Sequence, residues 1–248
     1  MQSKYKPSNR IKAIVAQAKQ LKDHYESMAD IGTDHGYLPR LMLEKSLVDR
    51  CILCDINEDP LKNASTTFNA TAYLDQVSFR LGSGIEPLMH SEVELVVVAG
   101  MGGGLILEIL SQDFSKTKDV PYLILQPQTE QNLLREWLIT HQFNILWEHY
   151  LVDMGKHYEI LVVDTGKNQT NVAFEIIKVD SDDLEFGTSI IRSEIEAYLQ
   201  FLEHKMQKYT HILDHVKQAQ DPSEKKTLCL SKLQTIEHIK TQMLLRRF

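Results

Sequence analysis

The sequence is poor in the features that usually place a protein quickly. It has three cysteines in 248 residues, an odd number with no framework spacing, which excludes a disulfide-stapled secreted domain and fits a reducing cytoplasm. No apolar run approaches the roughly 20 residues that cross a bilayer. The start, MQSKYKPSNRIKAIVAQAKQLK, has no apolar core followed by small residues, so no signal peptide is expected. There is no H-E-x-x-H, no P-loop and no G-x-S-x-G elbow. C-I-L-C at 51–54 lies inside a strand-like segment with only distant Cys229 as a further thiol, so no metal site is expected. Internal repeats and low-complexity tracts are also missing.

Acid is missing from the first 22 residues, which hold six basic side chains: Lys4, Lys6, Arg10, Lys12, Lys19 and Lys22. Residues 203–248 carry nine Lys or Arg against five Asp or Glu. The whole chain nevertheless has a net charge of −7, so its middle is strongly acidic. That balance argues against indiscriminate nucleic-acid binding, but two basic ends around an acidic body can steer a polyanion to particular faces. Solvated helix faces explain the same charges equally well.

What is present is an alternation. An amphipathic helix is predicted over 8–22, with Ile11, Ile14, Val15, Ala18 and Leu21 on one side. Strands follow at 28–32, 50–56, 77–81, 93–100 and 121–127, separated by helices over 37–47 and 59–70, a helix in GGLILEILS, and one in TEQNLLREWLITH that Thr129 could cap. This spacing predicts an α/β fold with a doubly wound parallel sheet. The segments 143–153 and 157–164 are too close for a crossover and must form an antiparallel hairpin. Parallel strands ending in a hairpin is the Rossmann-like pattern of class I methyltransferases, whereas nicotinamide-binding folds keep the sheet parallel. Trp137 and Trp147 read as core.

Beyond about 167 the composition changes, dividing the chain into 1–166 and 167–248. A polar bridge with one strand-like stretch leads to a heptad seam of Ile195, Tyr198, Leu202, Tyr209, Ile212 and Val216, interrupted by Lys205. Asp221, Pro222 and Glu224 can start a second helix presenting Cys229, Leu233, Ile236 and Met243. The pair reads as a coiled-coil-like helical hairpin.

The candidate chemistry starts in ADIGTDHGYLP. A glycine turn after a first strand normally brings a pyrophosphate to a helix N-terminus. Here Asp34 stands between Gly32 and Gly36, and its charge repels a phosphate. S-adenosylmethionine has no phosphate but carries a sulfonium and an ammonium, so an acidic turn attracts it. Asp55 ends the second strand, where an acid accepts hydrogen bonds from both hydroxyls of a ribose; Ile56 and Asn57 flank that place. Gly82, Ser83 and Gly84 follow the third strand, near an adenine edge or as a plain loop. Four glycines in AGMGGG, 99–104, open the helix after the fourth strand. Glycine there costs about 1 kcal/mol each relative to alanine, so close approach of a substrate is expected in preference to packing alone.

With ADIGTDHGYLP, AGMGGG and LILQP in view, the chain resembles a bacterial family of tRNA (adenine(22)-N1)-methyltransferases. The likeness runs through SNRIKAIVAQ, the glycine turn, AGMGG, LILQP, the GKHYEILVV hairpin and the C-terminal helices. It implies a cytoplasmic enzyme that uses S-adenosylmethionine and pairs a class I domain with a coiled-coil-like domain holding tRNA. It implies a cofactor set of Arg10, Asp30, Gly32, Asp34, His35, Gly36, Asp55, Ile56, Asn57, Gly82, Ser83, Gly84, Ala99, Gly100 and Gly102. Asp34, His35, Gly100 and Met101 are then expected around the reacting base. Two departures stand out: Ser83 occupies a place where the family often has Asp, and the second-strand acid, Glu or Asp in relatives, is Asp55 here.

Adenine N1 carries an in-plane lone pair and needs no prior deprotonation, so the expected demands are alignment and negative potential near the base. Because N1 lies on the pairing edge, the base must leave its helix. A methyltransferase for another RNA, a protein or a small molecule, and a non-catalytic RNA-binding scaffold, are the alternatives the residues leave open. A monomer is the simplest expectation, with a dimer left open.

Overall fold

A computed structural model of the chain describes residues 5–69, 71–167, 181–187, 195–218 and 223–245. The elements in chain order are α1 (Asn9–Leu21), β1 (Tyr25–Ile31), α2 (Tyr37–Glu44), β2 (Val48–Asp55), α3 (Glu58–Phe68), β3 (Val77–Leu81), β4 (Leu95–Met101) and α4 (Gly103–Gln112). They continue with α5 (Phe114–Asp119), β5 (Tyr122–Pro127), α6 (Gln131–Thr140), β6 (Asn144–Asp153), β7 (Lys156–Asp164), α7 (Ser181–Phe186), α8 (Ile195–Gln218) and α9 (Ser223–Leu245).

The strands form one sheet in the order β3-β2-β1-β4-β5-β7-β6. The first five are parallel, β7 runs antiparallel beside β5, and β6 pairs with β7 at the edge. This is the predicted doubly wound sheet closed by a hairpin. Alternation along β1 sorts the two cores. Ala29 and Ile31 face α4 and α6 with Ile106, Leu110 and Leu134, while Met28 faces α1, α2 and α3 with Ile14, Leu38, Met42 and Phe68. Burial on both faces explains why β4 reads as an unbroken apolar run.

Local chemistry sets most boundaries. The Ser8 hydroxyl accepts from Ile11 N at 3.3 Å and caps α1. Asp113 accepts from Lys116 N at 3.0 Å and starts α5, a short helix that the sequence patterning did not separate from its surroundings. Thr129 is not the cap of α6. Glu130 takes that place with φ 54, because Thr129 O accepts from Gly103 N at 2.8 Å and Glu130 Oε2 accepts from Gly104 N at 3.3 Å. The loop is held by the start of α4 instead of by its own helix.

In the C-terminal part, α8 and α9 pack antiparallel, with Lys240 Nζ 2.7 Å from Glu203 Oε2. Tyr198, Phe201, Leu202, Ile236 and Ile239 bury Tyr150 of β6 and Phe186 of α7. The buried positions are close to the predicted seam, although Leu213 rather than Ile212 is the one fully buried. Asp221, Pro222 and the strand-like stretch of the polar bridge lie outside the described residues.

Lys205, which breaks the seam in apolar terms, is buried there for an electrostatic reason. Arg135 of α6, itself buried, donates from Nε and Nη2 to the two oxygens of Glu148 at 2.8 and 2.7 Å, and from Nη2 to Glu159 at 2.5 Å. Lys205 Nζ lies 3.8 Å from Glu159 and 3.6 Å from Glu185. Tyr150 Oη donates to Glu148 Oε2 at 2.7 Å. Desolvation works against the Arg135 charge, but Glu148 and Glu159 outweigh it and hold the guanidinium protonated. Removing one partner of such a network strands the others without water. Arg135→Ala is therefore expected to lower stability by about 3–5 kcal/mol, read as a shifted urea midpoint; a loss under about 1 kcal/mol would mean that water replaces the cation.

Candidate active site

The crevice forms where β1 has β2 on one side and β4 on the other, outside the carboxyl ends of the strands. Ile31, Gly32, Cys54, Asp55, Ile56, Gly82, Ser83, Gly84, Met101, Leu105 and Ile109 line an open cleft there. The first, second and third turns thus meet at one cleft. Met101 is drawn in as a wall: its side-chain methyl lies where a Cβ on Gly32 would stand.

Beneath the cleft is Asp30, buried at the end of β1. Burial raises its carboxyl from 3.8 to about 6; Thr33 and Arg10 offset part of the rise, and Asp55 adds to it. The Thr33 hydroxyl is buried with no well-formed hydrogen bond, close enough to ease Asp30 without satisfying it. Asp55 is half-buried and its Oδ1 accepts from Asn57 N at 2.8 Å, which turns the chain into α3 and leaves Oδ2 to the cleft. Beside it, Ile56 is 66% exposed and joins Leu105 and Ile109 as apolar lining of the same cleft.

Arg10 reaches the site from α1. Its Nη1 donates to Gln126 Oε1 at 2.7 Å, and its guanidinium stands 5.7 Å from the centre of the Tyr158 ring. The helix is aimed by Asp153 at the end of β6, which accepts from Arg10 N at 3.1 Å and from Asn9 Nδ2 at 3.2 Å. Gln126 is fully buried, and its Nε2 donates to Pro127 O at 2.9 Å. Sequence reading missed Gln126, Thr33 and Asp153. The first had a signal, a lone amide within an apolar strand.

Asp34 and His35 lie at the mouth. Their side chains are 72% and 49% exposed, with Asp34 Oδ2 3.4 Å from His35 Nε2, and the imidazole stacks on Tyr37 at 5.2 Å. Asp30 is the acid whose carboxyl burial raises, whereas Asp34, on which the sequence argument leaned, is exposed.

Several glycines have a role in the fold itself. Gly36 has φ 65 and caps α2, and a Cβ there would meet Phe68, Leu53 and Ala64 at 2.9–3.3 Å. It faces the core, away from the cleft. Gly100 has φ 85, and a Cβ on it would stand 2.8 Å from Arg10 Nη1. A Cβ on Gly103 would meet the Thr129 and Glu130 carbonyls, while Gly102 is the N-cap of α4. AGMGGG thus permits close approach of Arg10 and of the loop after β5, a packing role beside the expected approach by a substrate. Ala99, at the end of β4, packs against the α1–α3 core.

The geometry agrees with what comparison shows. Residues 28–238 match the model of the TrmK family, tRNA (adenine(22)-N(1))-methyltransferase. The chain belongs to this family. A Bacillus subtilis tRNA (adenine(22)-N(1))-methyltransferase is 30% identical over 199 residues, 80% of this chain and 82% of the relative. Sp1610 of Streptococcus pneumoniae, crystallised with S-adenosyl-L-methionine, is 26% identical with a TM-score of 0.77 over 95% of this chain and 100% of its own. Mycoplasma capricolum TrmK with S-adenosylhomocysteine is similar in fold at 24% identity, with a TM-score of 0.75 over 94% of this chain and 97% of that one.

The residues present fit the family's cofactor. A buried carboxylate without a full cationic partner, an arginine beside it, a second acid at the ribose position and an apolar slot match an ammonium, a carboxylate, a diol and an adenine respectively. Cys51 and Cys54 add nothing reactive: burial pushes the Cys54 thiol up to about 12 and raises Cys51 as well. Among the described residues no three His, Cys, Asp or Glu side chains gather as metal ligands.

Ionised Asp30 is expected to hold the cation, so cofactor Kd measured calorimetrically should rise by up to about tenfold per pH unit below about 6. Its raised pKa means that the folded state binds the extra proton, so this group's contribution to stability falls as pH rises from 3.8 toward 6. Asp30→Asn should remove a cost of about 3 kcal/mol at pH 7, giving a higher Tm, while weakening the cofactor at least about tenfold. A variant that binds as tightly as the parent at pH 7 would remove Asp30 from the site.

Proposed function

We infer that this chain transfers the methyl group of S-adenosyl-L-methionine to N1 of adenine 22 of tRNA. The carrying observation is the family match across residues 28–238, supported by a buried acid, Asp30, at the end of β1 beside the crevice. Bound, the cofactor supplies a methyl carbon made electrophilic by its sulfonium.

The chain's own residues do the rest by placement and field. Asp55 takes the ribose hydroxyls, and Ile56, Leu105 and Ile109 enclose the adenine of the cofactor. Asp30 and Arg10 meet the ammonium and carboxylate of its amino-acid end. At the mouth, Asp34 supplies negative potential or accepts from the N6 amine of the incoming base, with His35 shaping the opening. Methylation puts positive charge on that base, so an acid there stabilises the transition state more than the ground state.

Residues 1–166 are read as the methyl-transfer unit and 167–248 as the part that grips tRNA. Lys208 on α8 and Lys226 on α9 are exposed, in keeping with phosphate contacts. A single copy of the chain is read as the working unit, with a dimer left open. Three unpaired cysteines, no described helix able to span a membrane and a tRNA substrate support work in the cytoplasm.

The direct test is methyl transfer to unmodified tRNA with the product nucleoside identified by mass: 1-methyladenosine at position 22 is expected, and another nucleoside or none would overturn the assignment. Asp34→Ala should lower single-turnover rate at saturating cofactor at least about tenfold with cofactor Kd unchanged. Replacing Lys208 and Lys226 by Ala should reduce the slope of log affinity for tRNA against log salt by up to about 2, again without changing cofactor affinity.

A further inference from the structure

The turn between β6 and β7 is unusual in both backbone and solvation. Met154 has φ 51 and Gly155 φ 76. Two-residue hairpin turns with both φ positive strongly favour Asn, Asp or Gly at the first place. Instead a methionine sits there, and its side chain is 95% exposed. The preceding outward residue, Val152, is 43% exposed. An apolar tip that is neither buried nor suited to its own turn is not explained by core packing or by turn preference.

Its location has a direction. β5 ends at the carboxyl edge of the sheet, and β7 runs against it with Tyr122 opposite Asp164 and Leu125 opposite Leu161. The start of β7, and the turn before it, therefore project past that edge on the side of the crevice. The tip is also held firmly. Asp153, next to Met154, grips the backbone of Arg10, whose guanidinium reaches Gly100. On the other side, His157 stacks on His204 of α8 at 4.0 Å with the rings 13° apart. The protruding side chain thus stands beside the site, braced by the helix of the catalytic crevice and by the helix read as tRNA-binding.

We propose that Met154 is a wedge that enters the base stack of the tRNA as the target adenine leaves it, occupying the space opened beside the flipped nucleotide. Apolar side chains inserted between bases are an established way to hold a nucleic acid open, and N1 cannot be reached while the base is paired. Methionine suits the task because it is unbranched, polarizable and conforms to flat aromatic surfaces. The proposal rests on the tRNA adenine-N1 reading above.

The test uses the full chain and a tRNA with 2-aminopurine at the target position, whose fluorescence rises when the base unstacks, alongside methyl transfer to the unlabelled tRNA. Wild-type protein that methylates tRNA at adenine 22 establishes the underlying reading independently of the wedge. Met154→Asn suits the turn, so it should fold with an equal or higher Tm and bind cofactor within twofold of the parent. It should lose most of the fluorescence rise and at least tenfold in single-turnover rate on paired substrate, and lose less than threefold on a tRNA whose target adenine is mispaired. Met154→Leu should restore most of both signals. Unchanged fluorescence and rate in Met154→Asn would overturn the wedge, as would an equal loss on the mispaired substrate or a failure of leucine to rescue.

Discussion

A largely buried carboxylate at the end of β1 is the constraint around which this protein is organised. Asp30 is expensive to ionise where it sits, and the fold keeps it by bringing Arg10 near without giving it a full ion pair. On the proposed reading, that half-compensation leaves the acid available to a cationic ligand: a strong partner would quench it, and none would leave it neutral. Holding Arg10 at that distance needs α1 to be fixed at its first turn, and the carboxylate of Asp153 does so from the end of β6. The electrostatics of the pocket therefore depend on the far edge of the sheet.

That edge depends in turn on a second buried charge cluster. Arg135, Glu148 and Glu159 tie α6 to β6 and β7, and Lys205 and Glu185 extend the network to α8 and α7. A purely apolar contact between these helices and the hairpin could slide; charges without water tolerate one arrangement. The hairpin is thus fastened to α1 beside the crevice at its tip and to the C-terminal helices along its length, a continuous physical connection between the helices proposed to hold tRNA and the proposed place of chemistry.

Much of this was legible beforehand. Spacing alone announced the five parallel strands and the hairpin, because three residues cannot make a crossover. The acidic glycine turn and Asp55 announced a cationic, ribose-bearing ligand, because charge and strand-end position are written in order along the chain. Individual roles were less legible. Asp34 and Asp30 are four residues apart with the same side chain, and only the pleat and the helices above it decide that one is exposed and the other buried. The glycines of AGMGGG looked like room for a substrate, while Gly100 and Gly103 make room for Arg10 and for the Thr129–Glu130 carbonyls.

Sequence by itself determined the sheet, the order of its turns and the kind of ligand they attract, since periodicity, turn length and formal charge are local quantities. Only the tertiary structure decided which acid is perturbed, that Gln126 and Asp153 set the aim of Arg10, that Lys205 is a buried counter-ion instead of a flaw in a seam, and that Met154 stands out beside the crevice. Those outcomes turn on desolvation and on contacts between residues more than a hundred positions apart, such as Arg10 with Gln126 and Asp153, and neither quantity exists until the chain has closed on itself.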